Sequence, residues 1–176
     1  MKFLKWFLIA IVALALLLVG AGLAMPSKFR VERTALINAP ADKVYALVAD
    51  PRQWPRWGVW NQRDPNMKVT FSGAQSGAGA RWSWESKSEG SGAMGFTRVE
   101  PGRMVEYSLT FPEYGMSSKG ALTMSAEGGG TRVSWTNEGD VGANPLMHWM
   151  ALMMDRMVGP DFEKGLGNLK ALAERN

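Results

Sequence analysis

One histidine, no cysteine and a scatter of carboxylates are the chemistry-bearing side chains of this 176-residue chain. Without Cys there is no disulfide, no thiolate nucleophile and no sulfur ligand for a metal, and the redox compartment leaves no mark on the sequence. His148 by itself cannot build a His-rich metal site or the usual base of a nucleophilic triad. It stands beside Trp149 in an apolar stretch, where a histidine satisfied within the fold or at its surface is the expected state. Asp50, Asp64, Glu85, Glu106, Glu113 and Asp155 fall on different elements, and no spacing among them demands acid–base work. Asp155 beside Arg156 suggests a structural ion pair. The glycine-rich runs at 73–79 and 128–130 lack the Lys and the strand–loop–helix setting of a phosphate cradle, so they read as turns. No catalytic residue, cofactor or metal is expected.

What the chain has in quantity is apolar bulk, with eight Trp, seven Phe and twelve Met. The formal charge of +4 is modest, its basic residues are scattered or flank the apolar N-terminus, and no block of Lys and Arg interleaves with aromatics. A nucleic-acid partner is therefore not expected.

Residues 6–25, WFLIAIVALALLLVGAGLAM, are an unbroken apolar run. At helical rise they cross the roughly 30 Å hydrocarbon core of a bilayer. Three readings compete. An uncut single-pass anchor suits the length. A cleaved signal has its basic start in Met1-Lys2 and Lys5 and small residues in Gly22 and Ala24, but its apolar stretch is usually about 7–15 residues. A buried core helix is disfavoured because no polar face interrupts the run. The anchor is preferred, dividing the chain into 1–26, the anchor or signal peptide, and 27–176, one folded domain. Lys2 and Lys5 on one side face Lys28, Arg30 and Arg33 on the other, so the positive-inside count leans toward a cytoplasmic domain while leaving both faces open. Cleavage would make the domain secreted or periplasmic.

Beyond the run, residues 29–38 alternate through Phe29, Val31 and Arg33 before shifting phase, which predicts a strand with one face on a core. A short amphipathic helix follows over 41–49, ended by Asp50-Pro51, with another short helical turn over 51–57. The stretch WPRWGVWNQRDP, carrying Trp54, Trp57 and Trp60, reads as a loop that packs on the sheet edge, closes a cavity mouth or meets the membrane surface. Strands are expected at 67–72, 79–86, 92–100, 104–111, 119–127 and 131–138. The cleanest is 104–111, where Val105, Tyr107, Leu109 and Phe111 alternate with polar residues. Gly128-Gly129-Gly130 signals a hairpin between the last two. About seven short strands at close spacing imply an antiparallel sheet. Helix-type sequence over 145–156 sets Met147, Met150, Met154 and Met157 at helical spacing, is broken or kinked at Val158-Gly159-Pro160, and resumes over 161–175.

This order of elements, an α+β arrangement, resembles the START-like helix-grip superfamily, also called SRPBCC or the polyketide cyclase/dehydrase and lipid-transport group. The likeness covers about residues 29–175. It is carried by Val31-Glu-Arg-Thr-Ala-Leu-Ile-Asn-Ala-Pro40 with Val44-Tyr-Ala-Leu-Val48, by Asp50 and Trp54-Pro-Arg-Trp57, by Gly77-Ala-Gly-Ala-Arg-Trp82 and Gly130-Thr-Arg-Val-Ser-Trp135, and by the terminal run from Asp161 to Lys170. The resemblance implies a curved antiparallel sheet of about seven strands wrapped on a long C-terminal helix, with the N-terminal transmembrane helix outside the family pattern. Such a fold encloses an elongated apolar cavity if sheet and helix do not fill the space between them. Trp82, Trp84, Tyr107, Phe111, Met124 and Trp135 would then wall it from the sheet, and Met147, Met150, Ala151 and Met154 from the helix. The same stripes also describe an ordinary filled core. Members of the superfamily include binding proteins, transporters and enzymes. Three functions stay open: a membrane-tethered module that binds or moves a hydrophobic small molecule or lipid, a cyclase, dehydratase or hydrolase acting on such a ligand, and a structural or regulatory domain with a filled interior.

Overall fold

The computed structural model describes residues 2–175. Met1, Asn176 and the side chain of Lys2 lie outside the described residues, and with them part of the basic start and the outermost domain limits. Helix α1 is Lys2–Leu23. Within it Phe3–Leu23 is long and apolar enough to cross a membrane, a test that a signal sequence also passes.

The strands are β1 (Lys28–Ile37), β2 (Lys68–Gly73), β3 (Ala80–Ser86), β4 (Gly90–Glu100), β5 (Met104–Phe111), β6 (Met116–Glu127) and β7 (Gly130–Asp140). They form one antiparallel sheet in the order β1-β7-β6-β5-β4-β3-β2. Hairpins join β2 through β7 in sequence, and β7 then pairs along its length with β1, from Lys28↔Asp140 to Ile37↔Thr131. At the β6–β7 turn Gly128 and Gly129 take φ of 56° and 82°, the left-handed values that a tight hairpin needs and a side chain resists. A bulge between Phe96 and Arg98 bends β4.

Between β1 and β2 run α2 (Ala41–Val48), a 3₁₀ turn (Pro51–Gln53), α3 (Trp54–Trp57) and α4 (Val59–Arg63). The helical turn expected over 51–57 is present as the 3₁₀ turn and α3, and α4 carries helix on into the tryptophan-rich stretch where the sequence reads as a loop. Its indoles supply the reason: Trp54 Nε1 donates to Val48 O at 2.9 Å and Trp57 Nε1 to Leu47 O at 3.2 Å. The last carbonyls of α2, which have no partner within the helix, are thereby satisfied, and both rings are driven into the core.

Helix α5 (Pro145–Ala173) crosses the inner face of the sheet without a break. Of the break or kink expected at Val158-Gly159-Pro160, the break does not occur. Proline disfavours a helical predecessor partly through that residue's Cβ, and Gly159 has none. Gly159 also leaves room for Arg33, whose guanidinium lies where a Cβ would stand. From there Arg33 donates to Asp155 Oδ1 at 2.7 Å and to Glu163 Oε1 at 2.6 Å, one turn on either side. Arg33 is therefore the partner of Asp155, not Arg156 as the sequence suggests. This placement also removes the expected phase shift in β1, since Phe29, Val31, Arg33, Ala35 and Ile37 all face α5 in unbroken alternation.

The C-terminal end of α1 packs on the start of α5. Gly22 touches Pro145 so closely that a Cβ there would fall on the Pro145 backbone. Trp149 Nε1 donates to Leu18 O at 3.1 Å, and His148 Nδ1 lies 2.8 Å from Gly22 O. The second nitrogen of His148 is 2.9 Å from Gly142 O. His148 is a buried residue held by backbone carbonyls, consistent with the satisfied histidine expected at that position.

Candidate functional site

Strand alternation decides what faces α5. On β5 Val105 and Tyr107 are buried and Leu109 half-buried; on β7 Thr131, Val133, Trp135 and Asn137 point inward. Large rings on this face need compensating absences. A Cβ on Gly120 would collide with the Tyr107 ring, one on Gly92 with Trp84, one on Gly139 with Phe29, and one on Gly165 of α5 with Trp135. Glycines facing rings leave the space that the aromatics fill, close against neighbouring backbone.

The result is a tight aromatic cluster at the centre. Trp135 stacks on Phe162 with centroids 4.0 Å apart and an interplanar angle of 8°. Trp54 meets Tyr107 and Trp135 edge-on at 6.0 and 5.8 Å. The Tyr107 hydroxyl accepts from Trp135 Nε1 and donates to Thr136 O, both at 3.0 Å. Burial pushes its pKa well above the usual phenol range. The phenol is a structural donor held protonated at neutral pH.

Beside this cluster the interior is not filled. A cavity of about 210 Å³ remains between the sheet, α3–α4 and α5. That exceeds the roughly 150 Å³ at which an engineered apolar cavity accepts a benzene ring, and approaches the roughly 300 Å³ of small ligand pockets. Trp82, Trp84, Tyr107, Phe111, Trp135 and Met154 are among its lining residues. Met124, Met147 and Met150 are not. Met124 is buried opposite Val133, farther along β6, and Met147 and Met150 lie on the first turns of α5, before the helix reaches the cavity. Ala151 is buried in the core and also stands outside the lining.

Several walls were not read from the sequence. Phe29 opens β1, and Val158 and Phe162 come from the α5 segment around the expected break, whereas Trp54 and Trp60, which the sequence offers as one closure of a cavity mouth, line it from α3 and α4. Asn137 carried a legible signal, because the alternation of β7 already places it on the face of Trp135.

Polar groups are few. Arg63 of α4 spans one side of the cavity, with Nη2 3.0 Å from Glu89 Oε2 in the β3–β4 turn and 2.8 Å from Asp161 Oδ2 on α5. This ties three elements together beside the lining residue Glu89. Asn168 Nδ2, donating to Trp57 O at 3.0 Å, fastens α5 to α3. Among the described residues no three His, Asp or Glu side chains gather as a metal site.

An open antiparallel sheet gripping one long helix, with an incompletely filled apolar interior, places the molecule in the START-like helix-grip superfamily. The chain belongs to the polyketide cyclase/dehydrase and lipid transport family, whose model matches residues 28–174. Solved structures share the fold. Protein CV1439 from Chromobacterium violaceum is 20% identical, with 86% of this chain and all of that one covered and a TM-score of 0.59. Protein MLL2253 from Mesorhizobium loti is 17% identical over 84% of this chain and 98% of that one, with a TM-score of 0.61. The di-domain ARO/CYC BexL from the BE-7585A biosynthetic pathway is 19% identical over 85% of this chain and 51% of that one, with a TM-score of 0.59. A search of curated protein sequences finds no match.

Proposed function

We propose that this protein binds a hydrophobic small molecule or lipid in the cavity between sheet and α5, and that α1 tethers it to a membrane. The observation that carries the reading is the unfilled space itself. Interiors pack to crystal-like density, so about 210 Å³ left open among aromatic and methionine side chains is room for a guest. The walls supply what such a guest needs: broad apolar faces in Trp82, Trp84 and Phe111, and in Met154 a flexible side chain that adapts to shape. Family membership supports a hydrophobic ligand.

The anchor reading draws on the docking of α1. Leu18, Gly22, Pro145, His148 and Trp149 form a fitted contact, which joins the apolar helix to the same α5 that walls the cavity. A domain held at a bilayer keeps its mouth near the phase in which apolar molecules dissolve.

The test is native mass spectrometry of the full chain extracted from membranes, with a Val158→Trp variant in parallel. Wild type is expected to retain an apolar adduct, and the variant, with an indole projecting into the cavity, to lose it. Wild type without an adduct, and without saturable uptake of added naphthalene, would refute binding. Recovery of a chain lacking residues 1–26 from the soluble fraction would refute the anchor.

A further inference from the structure

One polar side chain in the cavity carries a buried oxygen that the fold leaves unpartnered. Asn137 is 7% exposed, lines the cavity, and its Oδ1 is buried with no hydrogen-bond partner among the described residues. Buried polar atoms are nearly always paired, so an unpaired one in a ligand-sized space marks a place where something else supplies the partner. Its neighbours explain why the protein does not. Across β1 Asn137 faces Val31, and across β6 it faces Gly120, which has no side chain. Of the nearby inward hydroxyls, that of Tyr107 lies over Gly120 but gives its proton to Thr136 O, and that of Ser118, a diagonal neighbour on β6, lines the same cavity. Glu89 and Asn61, which also line the cavity, have partners in Arg63 and Met67, so the unpartnered oxygen is the one under β7. The opposite end, under β3, is walled by Trp82 and Trp84.

We infer that the ligand is an apolar molecule carrying one hydrogen-bond donor, a hydroxyl in the simplest case. That group docks on the Asn137 amide beside Ser118, and the apolar body runs across the strands toward Trp82 and Trp84. This rests on the binding role proposed above and adds to it the ligand's polarity and orientation. An amide oxygen accepts and cannot donate, so a hydroxyl satisfies it whereas an ether or a bare hydrocarbon does not.

The experiment measures the affinity of the full chain in detergent for naphthalene, 1-naphthol and 1-methoxynaphthalene by quenching of tryptophan fluorescence. Wild type is expected to favour 1-naphthol over the methyl ether by about two- to twelvefold, the range of one neutral hydrogen bond. In Asn137→Leu that preference disappears while naphthalene binds as well or better. Equal affinity of wild type for the alcohol and the ether overturns the inference while leaving cavity binding intact, and requires no variant to fold. Failure of all three probes to bind wild type overturns the binding role itself.

Discussion

Removing a single oxygen tests whether the aromatic cluster is held by the hydrogen bonds that the geometry assigns to it. In Tyr107→Phe the ring and its fit over Gly120 are kept, but Trp135 Nε1 loses its acceptor and Thr136 O a donor. Both groups lie inside a region where Tyr107 and Trp135 are each 1% exposed, so water does not replace the lost partner without rearrangement. An unsatisfied buried donor costs about 1–3 kcal/mol, larger than the net worth of a typical hydrogen bond. At about 2–4 °C per kcal/mol for a chain of this size, the melting temperature should fall by roughly 4–8 °C for a loss near 2 kcal/mol. Thermal unfolding followed by circular dichroism reads this directly. Trp135→Phe and the double variant complete a cycle, with a coupling of about 0.5–3 kcal/mol expected because the pair is in direct contact. A melting temperature for Tyr107→Phe within about 1 °C of wild type would refute the reasoning, since an unpaired indole N–H cannot be that cheap at such burial.

Gly165→Ala should destabilise the domain by about 1–3 kcal/mol, because its Cβ would stand 2.9 Å from the Trp135 ring. Chemical unfolding measures it, and a neutral result would mean that α5 moves away without loss. Arg33→Met should lower the melting temperature by a few degrees, as it takes away the link from β1 to Asp155 and Glu163 across the Pro160 turn. Acid should weaken the fold in a defined direction. The Arg33 guanidinium holds Asp155 below the usual carboxylate range, Lys170 and the Asn38 amide do the same for Glu174, and Lys119 with Arg30 for Glu138. For groups depressed in the folded state the stabilisation is present above their unfolded values near pH 4 and is lost as pH falls through the lower folded values. Urea midpoints should therefore drop between about pH 5 and pH 3, and a constant midpoint would contradict these pairings.

How much of this was legible varies with the range of the forces involved. Strand β5 was read to the residue and β7 nearly so, because half-burial imposes a period of two that survives in any context. The antiparallel sheet, the closing helix and the apolar N-terminal segment follow from similar local patterns. The break expected at Pro160 failed because the helix is sustained from outside, by Arg33 on a strand more than a hundred residues away in sequence. The helical turn over 51–57 is legible, but beyond it punctuation by Pro and Gly suggests a loop where α4 forms at Val59–Arg63, next to a segment whose indoles bond to the end of α2.

The candidate site divides in the same way. Which side chains face inward is a property of each strand, so Trp82, Trp84, Tyr107, Phe111 and Trp135 were available from alternation alone. Whether inward residues meet or leave space is not a property of any strand. Met124, Met147 and Met150 match the helical or strand pattern as well as Met154 does, yet only Met154 among these methionines lines the cavity, because the angle at which α5 crosses the sheet brings only its middle turns over it. The amino-acid order by itself determined periodicity, turn positions and the apolar segment, each set by interactions between residues close in the chain. The cavity, the Arg33 clamp and the unpaired Asn137 amide were decided only by tertiary structure, since each depends on the distance between elements that the chain connects last.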